Sequence, residues 1–313
     1  MKVILFGSNG QLGASFKRHL LGLADIELRA LTRSDIDLGE HRDEITKRLT
    51  CILKAEAPDL MINAAAYTAV DRAENDIDQA FQLNAWFPGE LAKFAARTQA
   101  RLVHFSSDYV FDGELFGRAY REEDHCHPQS AYGRSKREGE LAVLSHLPKA
   151  WVIRTSWVVG SKGQNFAKTM LRLACERDTL RVVADQWGVP SPASFLVESV
   201  INALSVVKAS GQGTSDSAGG LYHLCPQGET NWHAYASWVI QRALAHPRWQ
   251  DRLKLQKLES IQAISTEDYP TPAKRPKNSR LDCSHWTKTF ELKPLVSWQE
   301  ALAPTIDEIL TNE

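Results

Sequence analysis

The 313-residue chain has no apolar run that approaches about 18 residues, so the sequence offers no candidate membrane span. Its first apolar stretch, Val3 to Phe6, gives way at once to Gly7 and Asn9. That is too short for the core of a secretory signal, and a cytoplasmic protein is expected. Charge of either sign is not in excess: 37 basic and 38 acidic residues leave a formal net charge of −1. No global field gathers nucleic acid or an anionic membrane, neither is expected as a partner, and any anion must be bound locally. Cysteine is scarce and unpatterned. Cys51, Cys126, Cys175, Cys225 and Cys283 are odd in number and contain no C-x-x-C pair, which argues against a disulfide framework and a zinc site and leaves buried free thiols as the default. His125-Cys126-His127 has the residue types of a metal site, but adjacent loop side chains rarely converge on one ion, and no metal is expected.

What is present is an alternation. Short β-branched or apolar runs at Lys2 to Phe6, Ile26 to Leu31, Leu60 to Asn63, Leu102 to Ser106 and Trp151 to Thr155 are separated by helical patterns near 11–22, 40–57, 76–99 and 130–146. This is the rhythm of β-α-β units, and it predicts an α/β fold: a doubly wound, Rossmann-like parallel sheet over residues 1–160. Beyond residue 160 the pattern loosens into helices near 164–177 and 194–209, short strands at Leu180 to Val183 and Leu221 to Leu224, a Gly/Ser-rich loop from Ser210 to Gly220 and a helix from Trp232 onward. Residues 161–313 therefore read as a smaller mixed α/β lobe, mainly substrate-binding, with room for the chain to return to the first domain. A second lobe beyond the carboxyl ends of the strands would close a cleft over a ligand.

The first β-α turn, Gly7-Ser8-Asn9-Gly10-Gln11-Leu12-Gly13, spaces its glycines by three residues. Glycine permits the sharp turn and close backbone approach, while helix N–H groups supply the positive end that a pyrophosphate needs. Gly7, Asn9, Gly10, Gln11, Leu12 and Gly13 are thus candidate dinucleotide contacts; a glycine turn with no ligand is the competing reading. At the end of the second strand, where an acid would hold an unphosphorylated ribose, stand Thr32 and Arg33. A hydroxyl and a guanidinium favour the 2′-phosphate of NADPH, unless Arg33 is simply a solvated loop cation. Asp37 and Leu38 are placed to face an adenine, and Ala64, Ala65, Ala66, Tyr67 and Thr68 end the third strand with small residues that admit a cofactor.

The fourth strand ends in Ser107-Asp108-Tyr109, and 25 residues after Ser107 a helix begins with Tyr132-Gly133-Arg134-Ser135-Lys136. Positions i and i+4 share a helix face, so Tyr132 and Lys136 point the same way. A phenol with a pKa near 10 is a weak proton donor, and a neighbouring ammonium stabilises its phenolate. A lone Y-x-x-x-K occurs on many solvated helices. After a glycine turn, a small-residue strand end and a serine-rich strand end, in that order, it becomes a Ser107, Tyr132, Lys136 catalytic set.

With those motifs in place the chain resembles the dTDP-4-dehydrorhamnose reductase family of extended short-chain dehydrogenases. The resemblance is carried by Gly7 to Gly13, Asn63 to Asp71, Ser107 to Gly113, Tyr132 to Lys136, Arg154 to Val158, Asn165 to Met170, Asp185 to Pro190 and Arg275 to Asp282, which together cover nearly the whole chain. It implies NADPH, with NADH left open, as hydride donor to carbon 4 of dTDP-4-dehydro-L-rhamnose. In that chemistry Tyr132 protonates the alkoxide, Lys136 tunes Tyr132 and holds the nicotinamide ribose, and Ser107, standing where the family usually has threonine, bonds the substrate oxygen. Asp108 and Trp157 match substrate-contacting positions; Trp157 as core filling is the plainer alternative. Asn165, Lys168 and Arg280 stand at weaker candidate positions for the nucleotide diphosphate. Some relatives bind magnesium through glutamates at a dimer contact, one just after the glycine loop; Ala14 and Ser15 stand there in this chain, so that metal is not implied and a homodimer is left open. The resemblance leaves two rivals: an epimerase or dehydratase built on the same Ser/Tyr/Lys set, and a non-catalytic NADP-binding regulatory subunit like the β subunit of methionine adenosyltransferase.

Overall fold

The structure, a computed structural model, describes residues 1–209, 218–292 and 294–313. Residues 210–217 of the expected Gly/Ser-rich loop lie outside the described residues. The first half delivers the alternation: β1 (Lys2–Phe6), α1 (Gln11–Leu20), β2 (Glu27–Leu31), α2 (Arg42–Glu56), β3 (Leu60–Asn63), α3 (Ile77–Phe81), α4 (Phe87–Thr98), β4 (Arg101–Ser107), α5 (Ala131–His146) and β5 (Trp151–Thr155). The second half adds β6 (Val158–Val159), α6 (Phe166–Glu176), β7 (Leu180–Val183), β8 (Trp187–Gly188), β9 (Ser191–Pro192), α7 (Ala193–Ala209), β10 (Gly220–His223), β11 (Thr230–Asn231), α8 (Trp232–Leu244), β12 (Ile261–Ile264), α9 (Ser284–Thr289) and α10 (Trp298–Asn312).

Six strands form one parallel sheet in the order β10-β5-β4-β3-β1-β2. Strands covered by helices on both faces need apolar residues throughout, and Val3, Ile4, Leu5 and Phe6 of β1 are all buried. The chain runs from β1 to one neighbour and then crosses back past it, so the strand order reverses between β1 and β3. Ligands of open α/β sheets bind at that reversal. The chain returns to this domain late: β10 is its sixth strand, and α7 and α9 contribute Leu196, Val200 and Trp286 to the core beneath α1. A separate core gathers β7, α6, α8 and α10 through Leu171, Tyr235, Ile240, Leu302 and Ile306.

The helix expected over 76–99 is broken. α3 passes through a π turn (Gln82–Trp86) into α4. Pro88 accounts for it: it has no N–H for the Asn84 carbonyl, and its ring would crowd that carbonyl. The freed carbonyl faces α5, where a Cβ on Gly139 would stand 1.9 Å from it. All five cysteines are free, as expected, but the burial expectation holds only in part, since Cys51 is exposed and Cys225 buried.

Candidate active site

The β1–α1 turn is shaped by backbone contact. Gly7 has φ +75°, and a Cβ there would lie 2.6 Å from the Ala65 nitrogen; a Cβ on Gly13 would lie 2.1 Å from the Gly7 carbonyl oxygen. The turn after β1 thus presses against the end of β3, at the point of strand-order reversal. α1 begins at Gly10 with no side-chain cap and no acidic residue in its first turn. Its N-terminal N–H groups and dipole are left open to an anion, the fit that a dinucleotide pyrophosphate requires. Asn9 and Gly10 are exposed, whereas Leu12 and Gly13 are buried. Gln11 Oε1 accepts from Gly160 N (2.9 Å) and Asn165 Nδ2 (3.0 Å), so its side chain braces the turn.

Beyond β2, Thr32 donates from N and Oγ1 to Asp35 Oδ2, both at 2.9 Å. Asp35 is the acid the sequence reading passed over, and Thr32 with Arg29 occupies it. Arg33 is 82% exposed and paired with Asp37 at 3.1 Å, free to turn to a phosphate. Asp37 also accepts from Gly39 N, and the Leu38 side chain is buried in the core with Ile36 and Ile45. Ala64, Ala65 and Ala66 line the β3 end partly exposed, with Thr68 exposed beyond them. Tyr67 is fixed by Asp76 through its hydroxyl (3.0 Å) and by Asn84 through its backbone (2.9 and 3.0 Å).

The catalytic set converges as the i, i+4 spacing requires. Ser130 caps α5 by accepting from Gly133 N at 3.1 Å, and Glu74 accepts from Ala131 N at 2.8 Å. Ser107 Oγ donates to Asp108 Oδ1 at 2.9 Å and accepts from Tyr109 N at 3.2 Å, close to the Tyr132 phenol. Burial pushes the Tyr132 phenol up to about 12, opposed by the Ser107 hydroxyl, with the Asp108 carboxyl raising it further. Lys136 is 2% exposed and donates to the Phe105 carbonyl at 2.6 Å. Burial lowers its ammonium to about 8, and the Glu140 carboxylate opposes that fall. The Lys136 ammonium is thus anchored on β4, the strand that ends in Ser107.

Asp108 is buried, its carboxyl raised to about 6 by loss of water and held down by the Ser279 and Ser107 hydroxyls. Its Oδ2 has no hydrogen-bond partner, nor do Ser8 Oγ and Thr155 Oγ1 at the ends of β1 and β5. Unpaired polar atoms of this kind concentrate where a ligand supplies the partner. Trp157 takes the left-handed backbone conformation (φ +46°) and stacks on Trp232 at 3.7 Å between ring centroids. It is both packing and wall, since it lines a cavity of about 490 Å³ together with Tyr109, Trp232, Arg275 and Ser279. Tyr109 joins this cavity to the chemistry, its ring edge-on to Tyr132 at 5.4 Å.

The three weaker candidates each have a partner within the chain. The Asn165 carbonyl oxygen of the amide caps α6, accepting from Lys168 N at 3.1 Å, Lys168 Nζ pairs with Glu313, and Arg280 pairs with Glu229 at 2.6 Å. Among the described residues no group of His, Cys, Asp and Glu is placed to hold a metal, and no helix is long and apolar enough to cross a membrane. The sequence reading missed Asn84, whose amide bonds Tyr67 and Ser135, and Glu140, which is buried on Arg154 at 2.7 Å. Pro88 signals the first and the i+4 relation to Lys136 the second.

The model of the RmlD substrate binding domain matches residues 1–311. The dTDP-4-dehydrorhamnose reductase of Salmonella typhimurium is 37% identical over 314 residues, spanning 100% of this chain and 99% of that protein. That of Sinorhizobium fredii is 38% identical over 301 residues, covering 96% and 95%. A crystal structure of a dTDP-4-dehydrorhamnose reductase from Clostridium acetobutylicum has a TM-score of 0.83 at 32% identity, covering 98% of this chain and 99% of that one. One from Bacillus anthracis, solved in complex with NADP, has a TM-score of 0.82 at 29% identity with the same coverage. Motifs, sheet order and full-length similarity agree: the chain belongs to the dTDP-4-dehydrorhamnose reductase family.

Proposed function

We propose that this site reduces the C4 ketone of dTDP-4-dehydro-L-rhamnose to give dTDP-L-rhamnose, with Tyr132 as proton donor. The observation that carries the reading is that Ser107 at the end of β4 and Tyr132 and Lys136 at the start of α5 stand next to a cavity walled by Tyr109 and Trp157, with Tyr109 edge-on to Tyr132. NADPH, when bound, supplies the hydride. The α1 N-terminus would hold its pyrophosphate, Thr32 and Arg33 its 2′-phosphate, and Lys136 its ribose.

The Tyr132 hydroxyl keeps its proton at neutral pH because burial disfavours the phenolate. An alkoxide developing on the substrate is more basic than a phenolate, so transfer from Tyr132 is downhill once that charge forms. The Ser107 hydroxyl gives its hydrogen to Asp108 and accepts from Tyr109 N. It thereby orients the Tyr132 hydroxyl and, by turning, can bond the substrate oxygen. Trp157, fixed by Trp232, offers the sugar an apolar face. The second lobe thus supplies walls, while the sheet supplies the reacting groups.

The test is loss of NADPH absorbance in the near ultraviolet with the keto sugar generated in place. Tyr132→Phe should reduce turnover by about 10²- to 10⁴-fold while NADPH still binds. Unchanged turnover in that variant removes Tyr132 from the role. No turnover by the wild-type chain, with NADPH bound, rejects this sugar.

A further inference from the structure

The cysteines are scattered in the sequence, yet two of them meet in the fold. Cys225 and Cys283 are 58 positions apart, and their Sγ atoms lie 3.5 Å from each other. Cys225 N donates to Cys283 Sγ at 3.2 Å, and both thiols point at the Leu281 carbonyl oxygen, at 3.8 and 3.7 Å. A disulfide brings its sulfurs to about 2.05 Å, so a closure of about 1.5 Å, within the reach of side-chain rotation, joins them. Cys225 is 2% exposed and Cys283 partly exposed, so an oxidant reaches Cys283 first.

Their place in the chain gives the pair a use. Cys225 follows β10, the sixth strand of the parallel sheet, and Cys283 precedes α9, whose Trp286 is packed in the core of the first domain. The chain therefore leaves the first domain at Cys225 and re-enters it at Cys283. The excursion between them carries β11, α8 and β12, and with them Trp232, Tyr269 and Ser279 of the cavity wall. The backbone around Cys283 is already tied down, with Tyr120 N donating to the Arg280 carbonyl at 2.8 Å and Asp282 N to the Tyr120 carbonyl at 2.7 Å. We propose that Cys225 and Cys283 are a redox modification site, a thiol pair that hydrogen peroxide converts to a reversible disulfide stapling the two ends of this excursion together.

The Cys283 sulfur attacks one peroxide oxygen: an S–O bond forms, the O–O bond breaks, and the other oxygen leaves as water with the thiol proton. The Cys225 sulfur then attacks the Cys283 sulfur, the S–S bond forms, the S–O bond breaks, and the hydroxyl leaves as a second water with the Cys225 proton. Each sulfur has given up one electron and both peroxide oxygens are reduced. A dithiol reverses the link by exchange. The facing Cys225 thiol and burial hold the Cys283 thiol well above its usual range, so the pair reacts slowly and stays open under reducing conditions.

The test is independent of the substrate. The wild-type chain is treated with hydrogen peroxide, quenched with catalase, alkylated and mapped by mass spectrometry. Peptides bearing Cys225 and Cys283 should be linked, and dithiothreitol should separate them. The melting temperature should rise by about 5 °C on oxidation and return on reduction, because closing a loop of this length restricts the unfolded chain. Cys225→Ser should show no such rise, and peroxide should leave its Cys283 as a sulfenic acid that dimedone traps. Should that variant fail to fold, the wild-type map and melts decide alone. Free thiols at both positions after peroxide has oxidised the exposed Cys51, or a link from either to another cysteine, overturn the proposal. So does a linked pair whose melting temperature is unchanged or lower.

Discussion

The Asp108 carboxyl lies among Ser107, Ser279 and the Tyr132 phenol, and burial raises it from 3.8 to about 6. Between those two values the folded chain holds a proton that the unfolded chain has released. Stability from this group therefore falls as pH rises through that window, and above it the buried carboxylate costs on the order of 3 kcal/mol. Asp108→Asn removes the charge and keeps the shape. Its melting temperature should exceed that of the wild type near pH 8 and meet it near pH 4, while turnover drops. Thermal melts at the two pH values decide: a variant that melts lower at both would show that the carboxylate is stabilised by its neighbours after all. At the same scale, the Y-x-x-x-K pair was legible because helical spacing alone puts Tyr132 and Lys136 on one face. The attachment of Lys136 to Phe105 was not, since it depends on how α5 meets β4.

At the scale of elements, the junction of the π turn with α5 decides where Tyr132 stands. The Asn84 carbonyl, freed by Pro88, is so close to Gly139 that a Cβ there has no space. Gly139→Ala should push α5 off the turn, destabilising the chain by about 1 to 3 kcal/mol and reducing turnover. Gly22→Ala is the control, because a Cβ there meets only the His19 carbonyl oxygen at 3.4 Å. Denaturant unfolding with turnover measured beside it checks both; equal effects would mean that Gly139 matters only for helix propensity. The six strands of the main sheet were legible almost to the residue because β-branched and apolar runs bounded by turns have few alternatives, whereas the short pairs formed by β6, β8, β9, β11 and β12 were not. The break in the helix over 76–99 was signalled by Pro88 alone, and its π geometry is set by α5, a distant part of the chain.

For the whole molecule, the buried Arg154 and Glu140 pair joins parts that the sequence keeps far apart. Arg154 in β5 bonds Glu140 on α5 through two nitrogens at 2.7 Å, reaches Cys126 Sγ at 3.1 Å, and lies over the Phe111 ring at 4.9 Å. Phe111 in turn stacks on Tyr120, which belongs to the core of the second lobe. Removing Arg154 leaves the buried Glu140 carboxylate with Arg137 alone at 2.8 Å, so Arg154→Met should cost about 3 kcal/mol, the low end for a broken buried pair. Adding Glu140→Leu should restore most of it, because an apolar pair of similar volume often replaces a buried ion pair at little cost. Urea unfolding of the single and double variants measures this; a double variant no more stable than the single would show that Glu140 is satisfied without Arg154.

The amino-acid sequence by itself determined the alternation of strands and helices, the glycine turn after β1, and the placing of Tyr132 and Lys136 on one face of α5. These follow from local rules: periodicity, the conformational range of glycine, and i, i+4 geometry. Tertiary structure alone decided that Ser107 is bonded to Asp108, that Asp35 is taken by Thr32, that Asn165 bonds Gln11 and Lys168 pairs with Glu313, and that Asp71 holds Arg275 at the cavity wall. Each of these joins groups whose separation in the chain has no bearing on their separation in space. A side chain's partner depends on which strand end it meets, and that is settled only when the sheet and the second lobe have packed.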